Sequence, residues 1–411
     1  MSNTSNLHIN NHKTPIVDYI LVLFIVLWSG GGFTYGLFTN WQLMMYILVM
    51  PIFLIRKKKI SLNDLKFPFL LLFILFLQII VFKGTPYSTL VALGIFCIFL
   101  ITKIIKNNFY YIFLRIMTFF AITSLVLWFI DVSPLGHSFL LSISDKVPQL
   151  GWDNIKEIEN NSAYNSNTIY LYRVDYSFES LPINAGPFWE HGRFAFFLII
   201  ALFFSVINEN KFLSLRNLIL LCALITTFST AGYVAMVTMA VCLLLIKNGV
   251  SWRTVFLSSI AYYIILYISQ LDFMTEKIQD NALALDDTQS RFGAIAYHFL
   301  QISKSPWIGY GQFLHKVYGD LEISPNGWTD LMRYWGVPMA LYMFYIIFKS
   351  AKSFMPSNEH NFAIGLTFFI IMMSVSFPQT IMTSPFFYFI YFMAFEGGEN
   401  RIFYSKKQIK Q

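Results

Sequence analysis

Residues 186 to 193 read Gly-Pro-Phe-Trp-Glu-His-Gly-Arg, the segment of this chain most suited to chemistry. Glu190 and Arg193 stand three apart, so they share a face if a helix begins here. The apolar run that follows puts the pair at the mouth of a membrane span. A partly desolvated carboxylate in that position suits general-base work; the same pair would also serve as an ion pair anchoring a helix end. Arg173, Arg193, Arg291 and Arg333 are the arginines of the neighbouring polar segments. A guanidinium stays charged and grips phosphate with two parallel hydrogen bonds. Several of them converging on one pocket would make a pyrophosphate site, whereas each alone would serve as an interface or salt-bridge residue. Arg291, Ile295, His298 and Ile302 recur at helical spacing, which places Arg291 and His298 on one face.

Other chemistries find little support. Asp286 and Asp287 are adjacent acids, which point in different directions, and no third ligand is evident; a solvated acidic turn fits them. His298 and His315 lack metal-ligand spacing to each other or to a cysteine. No nucleotide-binding loop, Ser–His–Asp signature or haem-attachment motif is present. Neither a metal nor a cofactor is expected.

The elements that must position these residues are membrane spans. The chain has 411 residues, 56% hydrophobic and 12% charged, against about 25% charged in soluble domains. Apolar runs near the length that crosses a ~30 Å hydrocarbon layer recur throughout. They fall at 16–34, 41–55, 67–83, 88–102, 109–130, 190–207, 215–230, 231–246, 254–271, 334–349, 361–377 and 383–396. The expectation is an all-α, polytopic membrane protein of about twelve helices, folded as one membrane domain over 1–411. Its polar leading tail and Trp28-Ser29-Gly30-Gly31-Gly32 argue against a cleaved signal peptide. Cys97, Cys222 and Cys242 all fall inside spans and are expected to be packing residues.

The net charge of +7 is distributed, not pooled. Arg56-Lys57-Lys58-Lys59, Lys103/Lys106, Lys211/Arg216, Lys247/Arg253, Lys349/Lys352 and the basic C-terminal tail occupy alternate connections. The short connections between them carry no Lys or Arg. That positive-inside pattern puts both termini in the cytoplasm. It also puts two long loops outside, 132–189 and 272–327, and requires no nucleic acid or other polyanionic partner.

The first loop interleaves Trp152, Tyr164, Tyr170, Tyr172, Tyr176 and Phe178 with amides and carboxylates, a composition that suits sugar rings and equally a membrane-interface loop. Its run 160–167 lacks an apolar period and reads as irregular. Phe228-Ser229-Thr230-Ala231-Gly232-Tyr233 breaks a long apolar stretch into a hairpin. Arg115, two turns into the fifth span, is a functional residue or one that snorkels to the inner interface.

Four stretches resemble the O-antigen polymerase and O-antigen ligase superfamily of bacterial polysaccharide assembly. Gly186-Pro187-Phe188-Trp189-Glu190-His191-Gly192 is similar to the family's G-x-F-x-E-P-G/N stretch. Phe228 to Tyr233 is similar to its T-x-S-x-x-G-Y/L turn. Arg291 with Ser305-Pro306-Trp307-Ile308-Gly309-Tyr310-Gly311 is similar to R…P-x-x-G-x-G. Ser324-Pro325-Asn326-Gly327-Trp328 through Trp335-Gly336-Val337 is similar to H-N-x-x-L…G-I/V. Order and spacing agree over roughly 170–350. The family's arginine before the first glycine would fall at Ile183, so Arg173 or Arg193 would stand in for it. His191 replaces a usual proline, and Pro325 replaces the ligase histidine that activates the acceptor.

The resemblance implies a GT-C-like fold in the bacterial cytoplasmic membrane with its active site facing outward. The implied reaction is a polymerase's, which passes glycan from one undecaprenyl-pyrophosphate carrier to another lipid-linked repeat unit. A chain-length regulator and a flippase are implied partners. Arg291 with Arg173 or Arg193 would hold the departing pyrophosphate, Glu190 would take the acceptor proton, and His298, Asn326 and Arg333 would contact pyrophosphate or glycan. A ligase shares these features. A transporter or flippase would instead call for charges within the helices and short outer loops.

Overall fold

Apolar backbone in lipid satisfies its hydrogen bonds internally, and in the computed structural model the long apolar runs are helices. The structure describes residues 15–31, 38–84, 86–106, 108–147, 169–174, 177–178, 181–209, 212–249, 251–252, 256, 259–260, 263, 291–318, 326–351 and 361–395. The chain forms α1 (Ile16–Trp28), α2 (Phe38–Ile55), α3 (Leu62–Phe82), α4 (Pro86–Ile105), α5 (Phe109–Asp131) and α6 (Pro134–Ser144). A small antiparallel hairpin follows, β1 (Ser177–Phe178) and β2 (Leu181–Pro182), with Phe178 opposite Leu181. Then come α7 (His191–Glu209), α8 (Leu215–Ile225) and α9 (Thr230–Asn248). The last group is α10 (Arg291–Lys304), a 3-10 turn at Gly311–Phe313, α11 (Leu314–Tyr318), α12 (Gly327–Trp335), α13 (Val337–Ala351), α14 (Asn361–Ser376) and α15 (Pro385–Met393). The expected span at 254–271 lies mostly outside the described residues, as do 160–167, Asp286 and Asp287.

Local chemistry sets the helix ends. Ser61, Ser133, Ser214, Ser229 and Asn326 each accept a backbone N–H from the first turn of the helix they open. The composition of the first long loop did not anticipate α6. Its signal is Ser133-Pro134, a capping hydroxyl followed by proline at the first helical position. The break before Tyr233 is a tight turn between α8 and α9, as expected. The run 334–349 departs from expectation: it is divided between α12 and α13 at Gly336, where φ is +81°. A Cβ there would sit 2.3 Å from the Trp307 carbonyl oxygen, so only glycine fits the bend.

Helices α3 (21 residues, mean hydropathy 2.5) and α5 (23 residues, mean hydropathy 2.0) are long and apolar enough to cross a membrane. Several shorter apolar helices surround them. The run 383–396 yields only the nine-residue α15, buried from Phe386 to Met393 and packed against α1, α4 and α13. Beside it α7 is buried continuously from Phe194 to Val206. Phe386 and Phe389 of α15 meet Phe197 of α7 and Phe109 of α5 at ring separations of 5.0 and 4.1 Å. Such pairs contribute about 0.5–1.5 kcal/mol each beyond area burial, and close packing of this kind is the main force between helices in lipid. Cys97 is buried and Cys242 partly so, but Cys222 is exposed.

Charges gather at one end of the bundle. Asp18 near the start of α1 pairs with Arg56 (2.5 Å) and accepts from Asn108 (2.8 Å), and Lys103 pairs with Asp64 (2.7 Å). The opposite end collects the C-terminus of α1, the N-termini of α4, α7 and α15, and the last turn of α12.

Candidate functional site

At that opposite end, short backbone contacts lock three chain segments together. The Trp189 N–H donates to the Gly30 carbonyl (3.2 Å), Gly31 and Phe188 form a β-bridge, and the Phe386 N–H donates to Ser29 Oγ (2.8 Å). They enclose a cavity of about 260 Å³ whose polar lining includes Ser29, Arg193, Gln312, Tyr334, Thr383 and Ser384. Gln78 in α3 fixes its far wall: its amide donates to the carbonyls of Ile308 (2.6 Å) and Tyr334 (2.8 Å). The Gln312 amide donates to the Tyr334 phenol.

Arg193 reaches this cavity from the first turn of α7. Its guanidinium donates to the Ser29 carbonyl (3.3 Å), lies 4.9 Å from the Trp189 ring, and has Nε 3.8 Å from Glu190 Oε2. A Cβ on Gly30 would come 2.7 Å from Arg193 Cδ, so the absence of a side chain there gives the arginine its path. Glu190 is the residue just before α7. Its carbonyl accepts from the N–H groups of Arg193 (3.1 Å) and Phe194 (3.2 Å), and its carboxylate sits at the positive end of the helix dipole.

Arg173 arrives from the first long loop. Its neighbour Tyr172 is buried and donates to Asp131 Oδ2 (2.8 Å), and Asp131 also contacts His137 Nδ1 (2.8 Å). Burial, reinforced by the Asp131 charge, pushes the Tyr172 phenol well up, so it stays a donor. Thus anchored, Arg173 is 3% exposed and donates to the Trp189 carbonyl (2.7 Å). Arg173 and Arg193 therefore meet at Trp189, with Glu190 between them in sequence.

A second polar cluster joins α10 and α12. Asn326 Oδ1 accepts from the N–H groups of Trp328 (3.2 Å) and Thr329 (3.1 Å), and the Asn326 N–H donates to Asp330 Oδ2 (3.1 Å). Arg333 pairs with Asp330 one turn earlier and donates to Gln301 Oε1 (2.8 Å). His298 Nδ1 lies 2.6 Å from Thr329 Oγ1. Desolvation, then the positive charge of Arg333, lowers the His298 pKa to about 3, so the ring is neutral. Desolvation pushes the Asp330 carboxyl up while Arg333 pulls it back down. Four buried nitrogens here have no hydrogen-bond partner among the described residues: His298 Nε2, Gln301 Nε2, Asn326 Nδ2 and Arg333 Nε. Each such orphan costs about 1–3 kcal/mol, which native proteins keep at few positions.

The four arginines expected at one pocket divide. Two meet at Trp189. Of the described arginine side chains only Arg193 lines the cavity; Arg173 does not, and Arg333 is turned toward α10 and paired with Asp330 on its own helix face. Arg291 opens α10 as its spacing predicts, and shares that helix with the buried His298, but its side chain lies outside the described ones, as does that of His315. Ser29-Gly30, the Thr380–Ser384 hydroxyls, Gln312, Tyr334 and Gln301 belong to no motif evident in the sequence, yet the structure brings them to the cavity or the cluster. Three consecutive glycines after the first span, and a cluster of hydroxyls between two apolar runs, were the available signals.

A helical chain with two apolar helices of crossing length and several shorter ones is compatible with a membrane protein. The O-antigen ligase family model matches residues 215–336, less than a third of the chain, from α8 through α12. That match supports, over this stretch, the similarity to the O-antigen ligase/polymerase superfamily. The matched stretch includes Arg291, His298, Asn326 and Arg333; Arg173, Glu190 and Arg193 precede it. Comparisons with curated proteins and with solved structures return no match.

Proposed function

We propose that this protein is a polysaccharide polymerase of the bacterial cytoplasmic membrane. It takes glycan from one undecaprenyl-pyrophosphate carrier and joins it to a lipid-linked repeat unit at the outer face. Both termini are cytoplasmic in this reading, and about twelve helices cross the membrane. The observation that carries it is Arg193 at a cavity lined with hydroxyl and amide groups, with the Glu190 carboxylate beside it and Arg173 bonded to the neighbouring Trp189 carbonyl. All its lining segments fall where the alternation of basic connections predicts the outer side.

In the reaction, an acceptor sugar hydroxyl attacks the anomeric carbon of the donor. Its proton passes to the Glu190 carboxylate. The bond from that carbon to the diphosphate oxygen breaks, and the electron pair leaves with the lipid diphosphate. Arg193 and Arg173 neutralise the charge that grows on the departing group, the setting in which fixed donors lower a barrier most. Arg291 serves as a further diphosphate contact. Thr383, Ser384 and Gln312 offer hydrogen bonds to sugar oxygens. Asn326, His298 and Arg333 act by holding α12, and with it Tyr334, at the cavity wall.

The deciding experiment replaces Arg291 with Ala in a cell whose polymer can be displayed by size. Loss of long-chain product at unchanged protein level supports the reading. Normal polymer removes Arg291 from it.

One observation favours a ligase instead. Pro325 lacks an imidazole, but the His298 ring stands 2.6 Å from Thr329 in the same helical turn as Asn326. A ligase defect leaves finished long polymer on the lipid carrier, whereas a polymerase defect leaves single repeat units.

A further inference from the structure

Arg115 plays no part in the reaction just described, and its setting is unusual for a membrane helix. It is an exposed arginine in the second turn of α5, a helix of crossing length. Its Nη1 donates to the Tyr19 phenol of α1 (2.9 Å), and its guanidinium lies 4.1 Å from the Tyr111 ring centroid. The two tyrosines therefore fix its direction. No carboxylate pairs with it among the described residues. A charged group at such depth normally faces a partner of opposite charge.

From Arg115 a groove of about 760 Å³ runs up between α1 and α5. Its walls are Ile20, Leu23, Leu27, Ile116, Phe119 and Phe120, and it ends beneath Leu171 and Pro187. Ile20 and Phe119 stand open to the surroundings at 46% and 53% exposure. The cavity thus has one cationic end with a phenol beside it, and a long apolar bed. That is the shape of a phosphate head and one hydrocarbon chain.

We propose that this groove binds an anionic phospholipid of the cytoplasmic leaflet, with its phosphodiester on Arg115 and Tyr19 and one acyl chain along α1. Charge complementarity selects the leaflet: the Asp18–Arg56 and Asp64–Lys103 pairs lie at the same end of the bundle, and the basic connections predict that end to be cytoplasmic. Position selects the lipid. Tyr19 on α1 and Ser29, the residue that caps its C-terminus, are ten residues apart, about 15 Å along the axis. A carrier whose diphosphate reacts at the Arg193 cavity would need its phosphate at the other end of the groove. The occupant is thus a bound structural lipid and not the substrate. The inference stands whether the protein is a polymerase or a ligase, because its test reads no activity.

The test is native mass spectrometry of the purified full chain. The probes are dioleoyl phosphatidylglycerol, dioleoyl phosphatidylcholine and undecaprenyl phosphate, each offered separately and then in competition. The wild type is expected to retain one phosphatidylglycerol in preference to phosphatidylcholine. Arg115→Gln should lower the lipid-bound fraction at least tenfold, while Arg216→Gln, which removes a cation elsewhere, should leave it unchanged. Leu23→Trp fills the bed and keeps the arginine, and it should also expel the lipid; circular dichroism confirms that each variant is folded. If Arg115→Gln fails to fold, Leu23→Trp decides. Equal retention by wild type and both variants overturns the proposal. So does displacement of phosphatidylglycerol by equimolar undecaprenyl phosphate, or indifference to the phosphatidylcholine headgroup.

Discussion

The Trp189 corner and the α10–α12 cluster use the same residue types to opposite ends. Each contains an arginine and a carboxylate three residues apart: Glu190 with Arg193, and Asp330 with Arg333. At the corner the pair is loose, 3.8 Å apart, and the guanidinium projects along a glycine into an open cavity. In the cluster the pair is in direct contact, buried, and enclosed by Gln301, Thr329 and a neutral histidine. An arginine already neutralised in a closed network has little charge to offer an incoming diphosphate. Arg193, 3.8 Å from its carboxylate and bordering a cavity, has room beside it for one. The same sequence spacing therefore leaves a loose pair beside a cavity in one place and a closed clamp in the other, and what differs is the space left beside it.

If that contrast is right, chemistry should fail at the corner and folding should fail at the cluster. The largest effect is expected from Glu190→Gln. Removal of a general base lowers turnover roughly 10²–10⁴-fold, with protein level and donor binding kept. In vitro polymerisation of a defined lipid-linked unit measures it, and an equal loss of donor affinity would make Glu190 a helix anchor only. Arg193→Ala follows, with about a 10²–10³-fold loss in rate. Arg193→Lys should recover only part of that, because an ammonium does not bridge two phosphate oxygens. Full recovery by lysine would show that charge alone matters at this position.

How far these two regions could be read from residues alone differs for a physical reason. Helix α10, the turn before Tyr233 and the Glu190–Arg193 pairing follow from local spacing, and the structure forms them where spacing puts them. The partners of those residues are set by packing between elements distant in sequence. Ser29 and Phe386 bond across the bundle, and Gln78 reaches both Ile308 and Tyr334. No periodicity reports such contacts. The partners of Arg333 were hidden for the same reason: its residue type suits phosphate, and spacing alone does not report Gln301 on α10. Gly336 was visible as a residue but not as a break, since the apolar pattern runs through it without a change of period.

The next expected effect is on the cluster. Arg333→Met leaves the Asp330 carboxylate buried without its counter-charge, which costs about 3–5 kcal/mol. The folded yield in detergent should fall sharply, while the rate per folded molecule should change much less than in Arg193→Ala. The double variant Asp330→Leu with Arg333→Met removes both charges and should regain much of the stability. A single Arg333→Met that folds normally but makes no polymer would erase the distinction between the regions.

The smallest effect is a pH dependence assigned to His298. Its folded pKa of about 3 lies below the unfolded value of 6.5. Between those values the unfolded chain binds a proton that the folded chain refuses, so the histidine's contribution to stability is complete above pH 6.5 and shrinks as pH falls toward 3. At pH 6 the loss is under about 1 kcal/mol, growing by up to ~1.4 kcal/mol for each further unit. Asp330, whose carboxyl desolvation raises, works in the opposite sense: its folded form keeps a proton just above 3.8 that the unfolded form gives up. The two are separated by difference. Melting temperature followed from pH 7.5 to 5 should fall more steeply in the wild type than in His298→Gln, whose side chain carries no titrating ring. Parallel curves would mean that the imidazole titrates freely, and therefore that the α10–α12 cluster is as open to solvent as the corner.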